Sequence, residues 1–565
     1  MKRIATTPTQ FPLLARRPVP TLLACALAGC LAVMAPAAMA QSTAATIRGQ
    51  VTVDAAPASD ARVTATNVAT GLSRSVQASA SGAYSLVGLP PGTYRVDVIA
   101  NGATTSQTVT VQVGQTATLD LAAGGVAETG PVDDATDVGT VTVTAPVLVE
   151  ARTSEVATYV SQKQIEALPQ GSRNFLAFAD TVPGIVFEER SDGSTNIRSG
   201  AQQSNGVNVF LDGVGQKNYV TRGGITGQDT SRGNPFPQLG IGEYKVITSN
   251  YKAEYDQISS AAVSAVTRSG TNEFEGNFFW DYTSDQWREP TVIEEKSGSK
   301  AQSKEEQYGV ALGGPIMRDR LFFFATYEAK EFNSPREITP GRNVTIDELP
   351  AEFQPLARAT DSAPFKSDLF FGKLTFTPDD RNLLELSYKG REEDELTNVG
   401  GQNTASYGTL KTVEDTRVDL RWQYSADRWL NDMHLTYEDS FFSPRPQNFE
   451  PGYNLRLPAI GQEDNDNPTM ENVLNLGGSP DFQNKGQEGT SWQNDFTFFG
   501  FEGHTVKAGF KFKAVELTAF EQQPFNAQYR FDGNRSLTVP YEVEFAGATG
   551  LAPPSVVAKN KQYGF

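Results

Sequence analysis

Few side chains in this chain of 565 residues have the types and spacing that enzyme or metal chemistry requires. The two imidazoles, His434 and His504, lie far apart, and zinc-hydrolase spacing such as H-E-x-x-H is absent. Both cysteines, Cys25 and Cys30, fall in an N-terminal segment that we expect to be removed. We therefore predict a protein that is not an enzyme and that uses no metal and no cofactor.

One short segment has a pattern that predicts a binding reaction. The linker at residues 124–150 is rich in Gly, Asp, Ala and Thr, and it contains a β-prone strip at residues 140–145. The strip consists of Thr140, Val141, Thr142, Val143, Thr144 and Ala145. A β-prone strip on a flexible leash is suited to pairing with the open edge of another protein's sheet. The alternative is a short strand that belongs to a neighbouring domain.

Residues 1–40 have the pattern of an export signal. Basic side chains precede an apolar run at about residues 18–35. Ala38 and Ala40 then fit a small-residue cleavage site before Gln41. Two alternatives are lipoprotein processing at Cys30 and a retained membrane anchor.

Composition excludes several classes of protein. The formal net charge is −18, which argues against a non-specific nucleic-acid binder. Hydrophobic residues make up 39% of the chain, too many for wholesale disorder. No run of about 18 apolar residues follows the N-terminal segment, so a multi-span helical membrane protein is excluded. A β-barrel is compatible with the sequence, because its membrane signal is alternation rather than a continuous run.

Residues 41–123 contain short alternating segments at regular spacing, which predict a small β-sandwich. Gly49, Val51, Gly82, Tyr84 and the segment from Leu89 to Tyr94 (Leu-Pro-Pro-Gly-Thr-Tyr) resemble the carboxypeptidase regulatory-like domain. The resemblance implies a non-catalytic, immunoglobulin- or transthyretin-like fold. By analogy alone it admits carbohydrate binding, with a spacer or docking role as the alternative.

Residues 151–271 combine two short helices with several strands, as a small α/β domain would. This stretch resembles the plug of TonB-dependent outer-membrane receptors of the Oar-like subgroup. The residues that carry the resemblance are Leu168, Pro169, Arg173, Asn174, Phe175, Val182, Pro183, Gly184, Asn196, Ile197, Arg198, Ser199, Gly200, Phe210, Leu211, Asp212, Gly213, Tyr251, Ala253, Glu254, Tyr255, Val266, Thr267, Arg268, Ser269, Gly270, Thr271 and Asn272. One departure is Ser199, which stands where many plugs place Gly directly after Arg. The resemblance implies that residues 140–145 form a TonB box.

Residues 272–565 show apolar and polar side chains in strict alternation. Leu386 and Tyr388 share one parity, for example, while Glu385 and Lys389 occupy the other. Aromatic residues on one parity and charges of both signs on the other predict strands of about ten residues in a barrel with a lipid-facing exterior and a wet lumen. Tight turns alternate with long polar segments at 287–304, 332–365 and 441–489. The acidic runs 392–395 and 463–466 are expected in solvated outer loops, and the alternative is that they attract Ca²⁺ or a cationic ligand. A large soluble all-β protein is the alternative.

About nine to twelve strand candidates are present, whereas the resemblance implies a closed barrel of roughly 22 strands around a plug. We therefore expect a partial barrel in a truncated chain. The predicted fold class is mainly β: an N-terminal β-sandwich, a small α/β plug domain and a partial transmembrane antiparallel β-barrel.

The resemblance implies a TonB-dependent transporter or receptor in the cell outer membrane, with its sandwich and TonB box in the periplasm. Its expected partners are TonB with the inner-membrane energising complex, outer-membrane lipid, and an unknown small ligand (siderophore, oligosaccharide or peptide), but no nucleic acid. The alternative is a surface carbohydrate-binding or adhesion protein whose barrel is only an anchor.

Overall fold

Strands make up most of the regular structure in the computed structural model of this chain. It describes residues 43–100, 103–123, 153–168, 171–190, 194–221, 231–252, 254–290, 292–297, 300, 303–358, 361–463, 465–501, 504–546 and 556–564. The predicted cleavage residues Ala38, Ala40 and Gln41 and the predicted TonB box at 140–145 lie outside these residues.

Two sheets form the N-terminal sandwich. The first sheet has the order β2-β1-β5, with β8 and β9 pairing in parallel with β1, and the second has the order β4-β3-β6-β7. The strands are β1 (Ala45–Val53), β2 (Ala56–Pro57), β3 (Arg62–Asn67), β4 (Ser73–Gln77), β5 (Ala83–Leu89), β6 (Gly92–Ala100), β7 (Ala103–Val111), β8 (Thr116–Thr118) and β9 (Leu121–Ala123). Alternate side chains such as Ile47, Leu86 and Val96 fill one core between the sheets. The predicted β-sandwich is confirmed.

The described residues of segment 151–271, called the plug here after the domain that the segment resembles, form a five-stranded mixed sheet of order β10-β15-β16-β13-β14, a separate β11-β12 hairpin, and short helices. Its strands are β10 (Val156–Val160), β11 (Ile185–Glu189), β12 (Thr195–Ser199), β13 (Val207–Leu211), β14 (Val214–Gly215), β15 (Ile241–Ser249) and β16 (Ala261–Thr267). Its helices are α1 (Gln162–Ala167) and the 3₁₀ helices Phe175–Thr181, Ser204–Gly206 and Gln238–Gly240. Ser161 closes the capping box that begins α1, and the Asn174 side chain caps the first 3₁₀ helix. Both predicted helices are therefore present, although the second is a 3₁₀ helix.

The barrel wall is a ten-stranded sheet in which neighbouring strands are antiparallel. Its strands, in spatial order, are β17 (Glu275–Ser284), β18 (Lys304–Met317), β19 (Leu321–Arg336), β20 (Asp361–Phe376), β21 (Asn382–Thr397), β22 (Thr409–Ser425), β23 (Trp429–Pro446), β26 (Phe482–Phe498), β27 (Val506–Gln522) and β30 (Val556–Gly564). The eight strands from β18 to β27 on this path contain 14 to 18 residues, more than the ten that we expected. Pairing continues past the hydrocarbon thickness because each neighbouring strand still satisfies the backbone hydrogen bonds there.

Strands β21 and β22 of the wall show large apolar side chains on the outer face and charged side chains on the inner face. Leu386 and Tyr388 are exposed on the outer face, whereas Glu385 and Lys389 are buried on the inner face. The same division holds between Trp422, which is exposed, and its neighbours on either side along β22. This is the polarity expected of a wall between lipid and a polar lumen, and it confirms the predicted barrel alternation.

The acidic run 392–395 lies within β21 and not in the solvated loop that we expected. Its carboxylates at Glu393 and Glu395 are buried and contact Arg391 and Lys411. The sequence-based prediction was wrong because the run continues the period-2 alternation of the strand, which points these two carboxylates into the lumen.

The long polar segments fold into a layer at the opposite end from the tight turns. It contains the sheet β25-β24-β28-β29 and a core cluster that includes Phe353, Leu455 and Val473. The strands are β24 (Gly452–Pro458), β25 (Met470–Gly477), β28 (Gln528–Asp532) and β29 (Glu542–Glu544). The helices of this end are α2 (Val292–Ser297), α3 (Gln354–Ala357) and the 3₁₀ helices Asp285–Trp287, Ile346–Glu348 and Ala405–Tyr407. Among the described residues, none of the helices has the length and apolar content needed for a membrane crossing.

Candidate functional site at the plug–barrel interface

The plug is joined to the barrel wall at Asp212, which directly follows β13 and precedes Gly213. Asp212 has φ +49°, a left-handed conformation that Asp tolerates better than most residues. Its carboxylate accepts hydrogen bonds from the Thr267 backbone N–H (2.9 Å) and from the Lys373 ammonium group (3.2 Å). Two of the sequence motifs, Phe-Leu-Asp-Gly and the Thr-Arg-Ser-Gly segment, are thus joined through one buried carboxylate. The third member of the site, Lys373, belongs to the barrel.

From Lys373 a chain of alternating charges runs around the inner wall. Lys373 Nζ lies 3.0 Å from a Glu385 carboxylate oxygen, and the other oxygen lies 2.9 Å from Arg421. Arg421 in turn binds Asp432 at 2.6 Å. Each buried charge therefore has a partner of opposite sign, the arrangement that makes burial of such groups tolerable.

His434 extends this set of contacts. Its Nδ1 lies 2.9 Å from Asp419, and its Nε2 lies 3.7 Å from Asp432. The ring is almost fully buried in the lumen. We predicted no chemistry for either histidine, and the structure gives His434 a place in the polar lining, while His504 is exposed in a turn.

A second set of contacts holds the backbone of the plug at the end of β14. Arg417 donates to the carbonyl oxygens of Gly215 (3.2 Å) and Gln216 (3.1 Å), and it also binds Glu438 at 2.8 Å. Lys389 donates to the Gln216 side chain at 3.3 Å. Because Arg417 binds main-chain carbonyls, this contact depends on the path of the plug backbone more than on the plug side chains.

Further polar ties surround the plug. They are Ser231 with Glu393, Leu239 N–H with Glu328, Glu254 with Lys507 and Asp256 with Lys511. Apolar contact is also present: the plug core continues into Ala311, Phe324 and Phe371 of the wall, and Phe236 meets Phe371 at a ring separation of 5.0 Å. Most of the specific contacts at the interface are hydrogen bonds and ion pairs.

One buried ionic cluster stabilises the plug itself. Glu155 lies 2.6 Å from Lys245 and 3.2 Å from Lys252. Burial by itself raises the pKa of a carboxyl, but the two ammonium groups bring the pKa of Glu155 below its usual value. The start of β10 is thereby fixed to β15 before the chain enters the plug sheet.

Two cavities open in the layer formed by the long polar segments, which we call the outer layer. One of about 710 Å³ is lined by residues that include Glu294, Arg336 and Val399. The other, of about 450 Å³, is lined largely by amide and guanidinium groups, among them Asn454 and Gln528. Both volumes suit a small molecule. Within the described residues no His, Cys, Asp and Glu side chains group as metal ligands.

The sequence predicted the barrel residues of this site through the alternation of charged and apolar positions along each strand. Lys373, Glu385 and Arg421 all fall on the charged parity of their strands, but parity does not say which charge meets which. The pairing depends on strand register and on how deeply the plug sits, and both are tertiary properties.

Two family descriptions match parts of the chain. "Outer membrane beta barrel domain" matches residues 266–360, and "Carboxypeptidase regulatory-like domain" matches residues 46–124. The TonB-dependent transporter Oar from Myxococcus xanthus is 26% identical over 411 residues, which cover 65% of this chain and 34% of that protein. This chain therefore spans about a third of the length of that curated relative.

Solved structures with a related backbone include two outer-membrane proteins. The outer membrane transporter YddB from Escherichia coli has a TM-score of 0.48 at 11% identity, over 72% of this chain and 52% of that one. A ferric enterobactin receptor from Pseudomonas aeruginosa has a TM-score of 0.42 at 14% identity, over 65% and 50%. The matched family descriptions and the sequence relative show that this chain is similar to a TonB-dependent transporter, contains a carboxypeptidase regulatory-like domain and has an outer-membrane location.

Proposed function

We propose that this protein is an energised outer-membrane transporter. A small ligand is captured at the outer layer, TonB pairs with residues 140–145, and a pull on that strip remodels the plug so that the ligand passes through the barrel. The energy comes from the proton-motive force, and no bond of the ligand is broken.

The observation that carries the proposal is the polar character of the plug–barrel interface. Charge-assisted hydrogen bonds such as those of Arg417 to the Gly215 and Gln216 carbonyls contribute about 1.5–3 kcal/mol each, less than their full strength, because water replaces them when the groups separate. A plug held in this way keeps its position when no force acts on it and can be displaced when TonB pulls. A fully apolar interface of similar extent would expose its surface to water on every cycle, at a much greater cost.

The ligand-facing part of the proposal rests on the outer layer. The cavity of about 450 Å³ presents amide groups that both donate and accept hydrogen bonds, at Asn454 and Gln528, beside the Arg456 guanidinium. Such a lining suits a polar ligand, and siderophore, oligosaccharide and peptide all remain candidates.

The position of the sandwich supports transport over adhesion. The sandwich lies at the end of the barrel with the tight turns, where Gln423 near the end of β22 donates to the Gly88 carbonyl at 2.8 Å. Short turns are typical of the periplasmic side. An adhesion module would be useful at the other end.

Deletion of residues 140–145 from the full protein tests the coupling. A matched deletion of residues 130–135 shortens the same linker by the same length and is the control. We expect the first deletion to abolish binding of a purified periplasmic TonB domain to the detergent-solubilised protein, and the second to preserve it. Equal TonB binding by both variants would reject residues 140–145 as the coupling strip.

A further inference from the structure

The sandwich buries apolar side chains that its own core does not use. Leu72, Val87 and Val113 are 5%, 4% and 1% exposed, yet none of them belongs to the core cluster between its two sheets. On β5, Leu86 points into that core, so its neighbour Val87 faces outward. Something outside the sandwich must therefore cover Val87.

The cover is the mouth of the barrel at its tight-turn end. Strand β5 contacts β22 and β23, and a Cβ atom placed on Gly88 would lie within 2.9 Å of Leu430 and closer still to Ser425. Since Gly88 also has φ +71°, glycine is required there twice over, by backbone conformation and by close approach.

The loop between β3 and β4 lies against Asn272 and the barrel-turn residue Asp319, and Arg74 on β4 lies against Asp380 in the next tight turn. The Ala69 carbonyl accepts from the Asn272 N–H at 2.9 Å, and Gly71 approaches Asp319 so closely that a Cβ on Gly71 would lie 3.4 Å from the Asp319 Cβ. Arg74, which is almost fully buried, donates to the Asp380 carbonyl. Apolar covering, backbone hydrogen bonds and a buried cation thus all occur on one face of the sandwich.

The sandwich also contacts the plug directly. The Val113 N–H donates to the Glu243 carboxylate at 2.5 Å, and Glu243 lies on plug strand β15. Burial raises the pKa of Glu243 to about 7. The sandwich therefore contacts the wall at three turns and also contacts the plug.

We propose that the N-terminal sandwich is a detachable cover of the inner mouth of the barrel, and that it must leave the surface contacted by Leu72, Val87 and Val113 before the plug moves. The linker supplies the means, because it joins the last strand of the sandwich to the first strand of the plug. A pull on residues 140–145 applies force to both domains, to the sandwich through β9 and to the plug through β10. This second step rests on the proposed function, whereas the docked position does not.

Thiol labelling tests the docked position. In the full protein with Cys25 and Cys30 replaced by alanine, Val87→Cys is compared with Ile99→Cys, which lies on the same domain and is 54% exposed. With a maleimide-polyethylene glycol reagent in isolated outer membranes, we expect Val87→Cys to react at least about ten-fold more slowly than Ile99→Cys. Equal rates would overturn the docking.

A cross-link tests the need for release. The 3.4 Å between an ideal Cβ on Gly71 and the Asp319 Cβ is close to disulfide geometry, so Gly71→Cys with Asp319→Cys should bridge on oxidation. Gly71 has φ +73°, at which cysteine strains the backbone, so unchanged amide exchange of the sandwich in Gly71→Cys alone is the required control. Ser264→Cys, a nearly isosteric change on buried strand β16, reports plug opening in the same cells. We expect the Ser264→Cys thiol to react in respiring cells before oxidation, to be protected once the bridge has closed, and to react again after reduction.

Each outcome bears on a different part of the proposal. Unchanged reactivity of Ser264→Cys with the bridge closed would overturn the release step, while the single variants show whether either substitution alone changes the plug. A Ser264→Cys thiol that never responds to respiration, even without the bridge, would overturn the release step together with the proposed function. Protection of Val87→Cys would then still establish the docked cover.

Discussion

Asp212→Asn is the substitution that most directly tests how the plug is held. The asparagine side chain keeps an oxygen for the Thr267 N–H and tolerates the left-handed backbone at this position. It loses the negative charge, and its amide nitrogen turns a donor toward the Lys373 ammonium group, which now lies 3.2 Å from a carboxylate oxygen. Lys373 remains paired with Glu385, so no charge is left alone.

The expected cost follows from the loss of one charge-assisted hydrogen bond in a buried site. Such bonds are worth about 1.5–3 kcal/mol, which corresponds to roughly a 10- to 150-fold change in an opening equilibrium. Hydrogen exchange of the purified protein in detergent measures this equilibrium strand by strand. We expect the amides of β13 and β16, the Thr267 amide above all, to exchange faster by that factor, while the amides of the sandwich keep their rates.

Asp427→Asn is the matched control. It makes the same chemical change at an exposed ion pair, in which Asp427 lies 3.8 Å from Arg381 on a barrel turn. Exposed pairs of this kind contribute about 0–1 kcal/mol. Protection of β13 and β16 that stays within about two-fold in Asp212→Asn, or that falls equally in the control, would refute the argument that Asp212 anchors the plug.

Three further outcomes are expected. Leu386→Lys should destabilise the folded barrel by about 2–4 kcal/mol, because it places a charge against lipid. Ser387→Lys, on the luminal face, should cost far less. Reversible unfolding of the protein from lipid vesicles measures the free energy of unfolding of both variants. Burial raises the pKa of Glu243 to about 7, although the hydrogen bond from the Val113 N–H favours the ionised carboxylate. We expect undocking to return this carboxyl to water and its pKa to about 4.5, so docking should be tightest below pH 4.5, weaken between pH 4.5 and 7, and level off above pH 7. Labelling of Val87→Cys between pH 5 and 8 should show the weakening, and Glu243→Gln should flatten the profile. Tyr94→Phe should remove the buried hydrogen bond from the Tyr94 hydroxyl to the Pro90 carbonyl and cost the sandwich about 1 kcal/mol, seen as faster amide exchange in β6 alone.

Much of the fold was predictable because its signals are local. The period-2 alternation around Leu386 located wall strands, and two short helices were predicted within residues 151–271, where the structure has α1 and a 3₁₀ helix. The folded outer layer was missed, since its apolar residues, such as Phe353 and Leu455, are scattered through polar segments and come together only across long stretches of chain. The residues that bind the plug were recognisable as inward-facing charges, but their partners were not.

The amino-acid sequence determined by itself which face of each wall strand meets lipid, because side-chain direction along a strand is fixed by its two-residue period. It also identified Asp212 as part of a Phe-Leu-Asp-Gly motif that resembles a plug segment. Only the tertiary structure decided that this carboxylate meets Lys373, and that the outward-facing Val87 lies buried against the barrel mouth. Both contacts join segments far apart in the chain, so they depend on register, on the depth of the plug and on domain docking, which no local pattern encodes.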